Sequence, residues 1–383
     1  MHALLDRARS AVGHVLHRAD ALFNRLYGWR GNPLYHSGAI AVASFVVLLV
    51  TGVYLLLFYR IGSPWASVAA ITQQAWTGRW IRSLHRYASD VAVVAVLVHA
   101  LRMFLQGRSW GPRALAWVSG LVLLFVLLVC GWTGYVMVWD GQARLLAVEG
   151  ARLLDAVPIF SESLVRGFSG EAPIPGAFFF LNLFLHIALP IGLALLLWVH
   201  VSRVARPGLL PPRPLLWASL GLLVAVSVLW PVGMAAEADP LRLATDVPVD
   251  LFYGFFLPVT RELHPGWVWA GGSLLAAVAL LVPVWARPPE PVRPEPSVVD
   301  ERLCTGCEQC WLDCPYEAIA MVERDDDRPT LVARVDPELC VSCGICAGSC
   351  APMGVGPPGR TGRDQLATVR AFIDRRRPGP GDV

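Results

Sequence analysis

Long uncharged blocks alternate with short polar ones along most of this chain. Ser37–Tyr59, Ala114–Val138, Pro214–Met234 and Gly266–Ala286 each run 21 residues or more without a charge. A helix of about 20 apolar residues crosses the hydrocarbon of a bilayer. Two further blocks are interrupted by ionisable groups. Ser83–Leu105 holds His85, Arg86, Asp90, His99 and Arg102 around the apolar run Val91–Val98, and Ala177–Val201 holds His186 and His200. Six spanning helices are therefore expected, counted first to sixth in chain order. Residues 2–26 have helical periodicity and mixed charge, which predicts a helix lying on the membrane surface. The Pro/Arg/Glu-rich stretch Arg287–Ser297 reads as a linker to a polar C-terminal module.

Composition agrees with the pattern. Of 383 residues 55% are hydrophobic and 16% charged, where soluble domains carry about 25% charged residues. The net charge of +3 is small and its arginines are dispersed, so no nucleic-acid partner is expected. Their placement carries topology instead. The N-terminal segment and the loops after the second and fourth spans hold eleven arginines; the longer opposite loops hold eight, among many acids. That bias predicts a cytoplasmic N-terminus, and six crossings return the chain to the same side. Residues 1–36 carry five arginines and no apolar core, so no secretory leader is expected.

The second span holds His85 and His99, the fourth His186 and His200, and both pairs are 14 residues apart. Fourteen residues of helix put two imidazoles about 21 Å apart and within about 40° of one face. A lone intramembrane histidine usually hydrogen-bonds a neighbouring helix or joins a proton path. Two identical spacings on two helices suit another use, one imidazole pair near each membrane surface. A haem iron takes two axial ligands on opposite faces of a flat ring, so His85 with His186 and His99 with His200 are candidate ligands of two haems.

Residues 30–210 resemble the N-terminal four-helix part of the cytochrome b subunit of cytochrome bc and bf complexes. The resemblance rests on Arg82-Ser-Leu-His85-Arg86, the paired histidines, Gly134-Tyr-Val-Met-Val-Trp139 and Leu185-His186-Ile-Ala-Leu-Pro190. It implies a di-haem four-helix bundle over 31–210, followed by two further spanning helices over 211–286 that resemble part of the family's C-terminal portion. Gly38 and Gly52 in the first span are 14 apart, as are Gly120 and Gly134 in the third. By resemblance these glycines let the haems approach the backbone, and Arg82 pairs with a propionate of the outer-side haem.

Two departures stand out. Where relatives carry a Pro-Glu-Trp-Tyr motif at the quinol-oxidising site, this chain reads Val247-Pro-Val-Asp250-Leu-Phe-Tyr253. Asp250 is the candidate acceptor of a quinol proton, since a buried carboxylate can take one; the competing reading is a solvated loop acid. Plastid-type relatives tether an extra haem through a cysteine where this chain has His36, which removes the tether and leaves His36 to contact a quinone or haem edge, or to serve as an interfacial polar residue. Asp90 reads equally as part of a proton path or as a helix–helix hydrogen-bond partner.

Eight of nine cysteines lie between Cys304 and Cys350. Cys130 lies in an apolar block and reads as a small packing residue. Cys304-Thr-Gly-Cys307-Glu-Gln-Cys310-Trp-Leu-Asp-Cys314-Pro315 has the spacing of bacterial two-cluster ferredoxins, and Cys340-Val-Ser-Cys343-Gly-Ile-Cys346-Ala-Gly-Ser-Cys350 repeats it. In that pattern the fourth cysteine of each run ligates the other cluster. Cys304, Cys307, Cys310 and Cys350 are thus assigned to one 4Fe-4S centre, and Cys340, Cys343, Cys346 and Cys314 to a second. Zinc is the rival use of eight thiolates. Short strands are expected within Tyr316–Val322 and Thr330–Val335, around an acidic turn Glu323–Arg328, and a helix from Arg363 to Arg377.

The expected molecule is an α-helical membrane protein of a bacterial cytoplasmic membrane. It comprises a surface segment (1–30), the di-haem bundle, two more spans, a linker (287–299), a small α+β ferredoxin-like cytoplasmic domain (300–357) and a basic tail (358–383). Its expected cofactors are two haem b, two 4Fe-4S clusters and a quinone, ubiquinone or menaquinone. Its expected partners are the lipid bilayer and the other subunits of a membrane redox complex, such as Fe-S or cytochrome c subunits. Electrons would pass between the quinone pool, the haems and the clusters. The rivals are a proton-translocating subunit whose clusters sense redox state, and an anchor that docks a dehydrogenase.

Overall fold

The computed structural model describes residues 2–159, 162–168, 174–202, 208–239, 241, 250–287 and 295–376. Val247–Val249 of the stretch ending at Asp250, Arg203 and Arg206, Glu171, most of the linker (288–294) and residues 377–383 lie outside the described residues. The chain divides after Arg287 into two compact units.

The first unit opens with α1 (His2–Tyr27), then α2 (Ser37–Phe58), α3 (Pro64–Gln73), α4 (Gly78–Leu105), α5 (Ala114–Val136), α6 (Gly141–Asp155) and α7 (Gly176–Val201). Among the described residues α2, α4, α5 and α7 are the helices long and apolar enough to cross a membrane. They pack in two pairs, α2 on α4 and α5 on α7. The fifth and sixth blocks form shorter apolar helices, α8 (Arg213–Leu229) and α10 (Pro265–Leu280), separated by α9 (Leu257–Glu262) and followed by α11 (Val282–Trp285). Both fall short of the uncharged runs that announced them. Proline disfavours helical backbone in the residue before it. Trp230 precedes Pro231 and leaves the helix with φ −129° and ψ 71°, so α8 ends at Leu229 rather than Met234; Pro283 sits at the break between α10 and α11.

The segment after α8 is an extended strap. Tyr87 donates to the Trp230 carbonyl at 2.7 Å, the Val232 amide to Ser83 Oγ at 2.9 Å, Trp65 Nε1 to the Ala235 carbonyl at 3.1 Å and the Ala238 amide to the Trp139 carbonyl at 3.2 Å. Asp140 joins strap to helix. Its Oδ1 caps α6 by accepting from the Ala143 amide at 3.0 Å, and its Oδ2 accepts from the Ala235 amide at 3.2 Å. Beneath lies a core of Val136, Trp139, Leu146, Ala147, Phe168 and Phe179. At the other end α1 is tied to α4 by an ion pair between Asp20 and Arg102 at 2.9 Å, and the Arg102 guanidinium lies 4.8 Å above the Tyr35 ring.

The second unit is built around its cysteines. Strand β1 (Val298–Val299) pairs antiparallel with β4 (Val355–Gly356), and β2 (Ile319–Val322) with β3 (Val332–Val335). Each cysteine triad winds into one short helix, α12 (Gln309–Leu312) or α13 (Ile345–Ser349). Cys310, Cys314 and Cys346 form a core with Ala318, Ile319, Ala333 and Val355. Gly306 (φ +73°) and Gly344 (φ +81°) make the turns inside the triads. A Cβ at Gly306 would lie 2.7 Å from the Leu331 carbonyl, so glycine is required there on two counts. The tail forms α14 (Gly362–Arg376), started by a reciprocal cap in which Thr361 donates to Asp364 at 2.7 Å.

Candidate metal centres

Each of the four histidines faces a glycine on the neighbouring helix of its pair. A Cβ built on Gly52 would lie 3.3 Å from His85 Cε1, and one on Gly38 3.0 Å from His99 Nδ1; on Gly120 it would lie 3.3 Å from His200 Cε1, and on Gly134 2.8 Å from His186 Cε1. The glycines thus leave room for the imidazole rings.

The His85 and His186 rings confront each other across the two helix pairs with centroids 6.3 Å apart. Imidazole–metal bonds of about 2.0–2.1 Å, with about 1.1 Å from each nitrogen to its ring centre, place the centroids of two trans ligands about 6.3 Å apart. A cavity of about 480 Å³ surrounds them, lined by Gly52, Gly134, Arg82, Arg86 and a belt of apolar side chains, within the range of ligand pockets, about 300–1,000 Å³. At the other end His99 lies against Gly38 and His200 against Gly120. In the turn after α4 the Ser109 hydroxyl is buried with no protein partner, a donor that an anionic ligand edge would satisfy. The donor set, the spacing and the cavity fit haem.

Hydroxyls that the sequence reading did not single out touch three of the rings. Thr51 Oγ1 lies 2.8 Å from His85 Nδ1, Thr133 Oγ1 3.0 Å from His186 Nδ1 and Ser119 Oγ 2.9 Å from His200 Nδ1. A sequence signal existed. Each directly precedes one of the facing glycines, and the Ser/Thr-Gly dyad recurs at 37–38, 51–52, 119–120 and 133–134. The backbone carbonyl of Cys130, which any residue there would supply, lies 3.0 Å from His186 Nδ1.

Beside the cavity Arg86 spends three donors on three elements. Its Nε donates to Tyr135 Oη at 2.9 Å, and its two terminal nitrogens pair with Asp90 and Asp250. Asp250 is half-buried, with its side chain 8% exposed. Its Oδ2 also accepts from Tyr135 at 2.8 Å, and its Oδ1 accepts from the Phe252 and Tyr253 amides at 2.9 and 2.6 Å. The Tyr253 ring lies against Gly131. Arg82 lines the cavity and donates to the Val232 and Gly233 carbonyls at 2.8 and 3.1 Å. His36 stands apart, its Nε2 3.0 Å from the Arg30 carbonyl.

In the second unit burial, then the sulfurs of Cys350, Cys304 and Cys307, push the Cys310 thiol up to about 11. Burial likewise raises Cys346, together with Cys343, Cys340 and Cys314. Cys350, the fourth cysteine of the second run, lines one small cavity with Cys304, Cys307 and Cys310, and Cys314 is among the electrostatic neighbours of Cys346. Amides of Ala318, Ser297 and Gly354 donate to the sulfurs of Cys314, Cys340 and Cys350, each at 3.3 Å, as the sulfurs of iron–sulfur centres are commonly held. This donor set fits two cubane clusters.

Comparison with known proteins identifies two domains in the chain. Residues 30–208 match the family model "Cytochrome b/b6/petB", and residues 303–354 match the 4Fe-4S dicluster domain. The chain is 27% identical over 195 residues to the menaquinol:cytochrome c reductase cytochrome b subunit of Geobacillus thermodenitrificans, covering 47% of this chain and 86% of that one. The subunit of the same name from Bacillus subtilis (strain 168) is 28% identical over 195 residues, with the same coverage. Among solved structures a chain of a hyperthermophilic respiratory Complex III shares the fold, with a TM-score of 0.53 and 18% identity over 65% of this chain and 75% of that one. Residues 30–208 thus form a cytochrome b/b6 domain and residues 303–354 a 4Fe-4S dicluster domain.

Proposed function

We propose that the chain is a membrane redox subunit carrying electrons between a quinol pool, two haems b and two 4Fe-4S clusters, within a larger electron-transfer complex. The observation that carries the reading is the His85/His186 pair, at the separation of trans axial ligands inside a ligand-sized cavity. The matching glycine contacts at His99 and His200 extend it to a second haem. The crossed grouping of the eight thiols supports two clusters. When bound, haem and cluster would supply one-electron transfer.

The residues do the rest. His85, His186, His99 and His200 hold and orient; Arg82 offers a cation to an acidic haem edge; Cys304, Cys307, Cys310 and Cys350 hold one cluster, and Cys340, Cys343, Cys346 and Cys314 the other. Quinol meets the protein beside the His85/His186 cavity, where Asp250 accepts its proton and Arg86 and Tyr135 keep that carboxylate in place. The menaquinol named for the relatives makes menaquinone the first quinone to try. The four long apolar helices α2, α4, α5 and α7, joined by the shorter α8 and by α10 with α11, cross a bacterial cytoplasmic membrane with the N-terminus and the cluster domain on the cytoplasmic side, and Fe-S or cytochrome c subunits of the complex exchange electrons with the chain.

Pigment and metal analysis of the purified chain tests this. The expected result is a b-type band in the dithionite-reduced spectrum, two haems by pyridine haemochrome, and eight non-haem irons with eight acid-labile sulfides. A colourless membrane unit, or zinc in place of iron, would overturn it.

A further inference from the structure

We infer that the hydroxyls of Thr51, Thr133 and Ser119 are positioning residues that set the donor strength of the histidines they touch, and through it the redox potential of each haem. The inference rests on the haem reading above. Each hydroxyl owns one proton, and in all three that proton is committed to the backbone. Thr51 donates to the Val47 carbonyl at 2.6 Å, Thr133 to the Cys130 carbonyl at 2.7 Å and Ser119 to the Ala116 carbonyl at 3.2 Å. A hydroxyl so committed meets a ring nitrogen as an acceptor. The hydrogen of His85, His186 and His200 therefore sits on Nδ1. For His186 the same tautomer follows independently, because the Cys130 carbonyl, 3.0 Å from Nδ1, can only accept. Nε2 is then a bare lone pair, the state a metal ligand requires. An imidazole that donates its other N–H is the more basic ligand, which favours the oxidised metal.

The bland account is that helical serine and threonine bond back to carbonyls with no further purpose. Two observations go beyond it. The same geometry recurs at three histidines on two helices, and each hydroxyl belongs to the residue before a facing glycine, so one dyad both clears the ring's space and turns it. The fourth dyad supplies a control. Ser37 is buried before Gly38, yet among the described residues no hydrogen bond joins it to His99.

Potentiometric titration of the two haems in the full-length chain tests this. Thr51→Val should raise the midpoint of one haem, and Thr133→Val that of the same haem by less, because the Cys130 carbonyl still accepts from His186 Nδ1. The expected shift is about threefold to tenfold in the ferrous-to-ferric ratio, or about 30–60 mV at 59 mV per tenfold for one electron. Ser119→Ala should raise the other haem's midpoint, Ser37→Ala neither, and Thr51→Ser should restore the wild-type value. Haem lost from Thr51→Val but kept by Thr51→Ser would support the same role. Unchanged midpoints in the valine variants, equal shifts in Thr51→Ser and Thr51→Val, or haem lost from both would overturn it while leaving the haem reading intact. A wild-type chain without haem would refute that underlying reading too, and would be seen before any variant was made.

Discussion

One methyl group decides whether the His186 ring can sit where it does. Gly134→Ala would put a Cβ 2.8 Å from Cε1, closer than a packed helix tolerates. We expect that variant to lose about one of two haems by pyridine haemochrome, while Gly221→Ala, with open space around it, keeps both. Asp250 gives a second forecast. Asp250→Asn keeps the size of the side chain but removes the charge, so haem content should hold while quinol-dependent haem reduction slows by about 10²-fold or more, the scale of a lost acid–base group. Unchanged reduction would return Asp250 to a structural role. The histidines and their glycines were legible because helix geometry makes a 14-residue spacing repeat a face. The hydroxyls were not, since serine and threonine in a helix have an ordinary local use. Nor was the setting of Asp250, whose partners Arg86 and Tyr135 lie 164 and 115 residues away in sequence.

Elements end where the backbone, not hydropathy, tells them to. The uncharged run through Met234 promised a longer α8; Pro231 shortened it and released the strap. Helix α6 was hidden in a loop, although Asp140 before Gly141 is an ordinary helix-starting signal. Asp140→Ala removes the cap and the strap bond together. It should cost about 1 kcal/mol for the cap and speed amide exchange in both α6 and residues 231–238. In the second unit the hairpin and its acidic turn were foreseen, because β-branched runs flank an aspartate cluster. There the Arg324 side chain, then Arg328, holds the Asp326 carboxyl well below the usual carboxylate range. A group with a depressed folded-state value stabilises fully above its unfolded value, about 3.9, and loses that effect only as pH falls on through the folded one. Amides of the turn should therefore stay protected at pH 4 in the wild type, and exchange faster at pH 4 and above in Asp326→Asn.

At the scale of the molecule the crossed cysteines make the strongest forecast. Cys350→Ser should disturb the same electron paramagnetic resonance signal as Cys307→Ser, and Cys314→Ser the signal disturbed by Cys343→Ser; disturbance within each run instead would mean uncrossed centres. That forecast rests on spacing, because the ferredoxin pattern is short-range twice over, whereas the pairing of α2 with α4 and α5 with α7 is a property of the assembled bundle. The strap has its own consequence. It bonds the stretch after α8 to side chains and carbonyls of α3, α4 and the start of α6, all contributed by the first half of the chain. Covalent continuity between α7 and α8 is thus not what keeps the halves together. Two polypeptides made separately, residues 1–203 and 208–383, should find each other in the bilayer and copurify as one particle, and a gene broken at that point would still encode a working assembly.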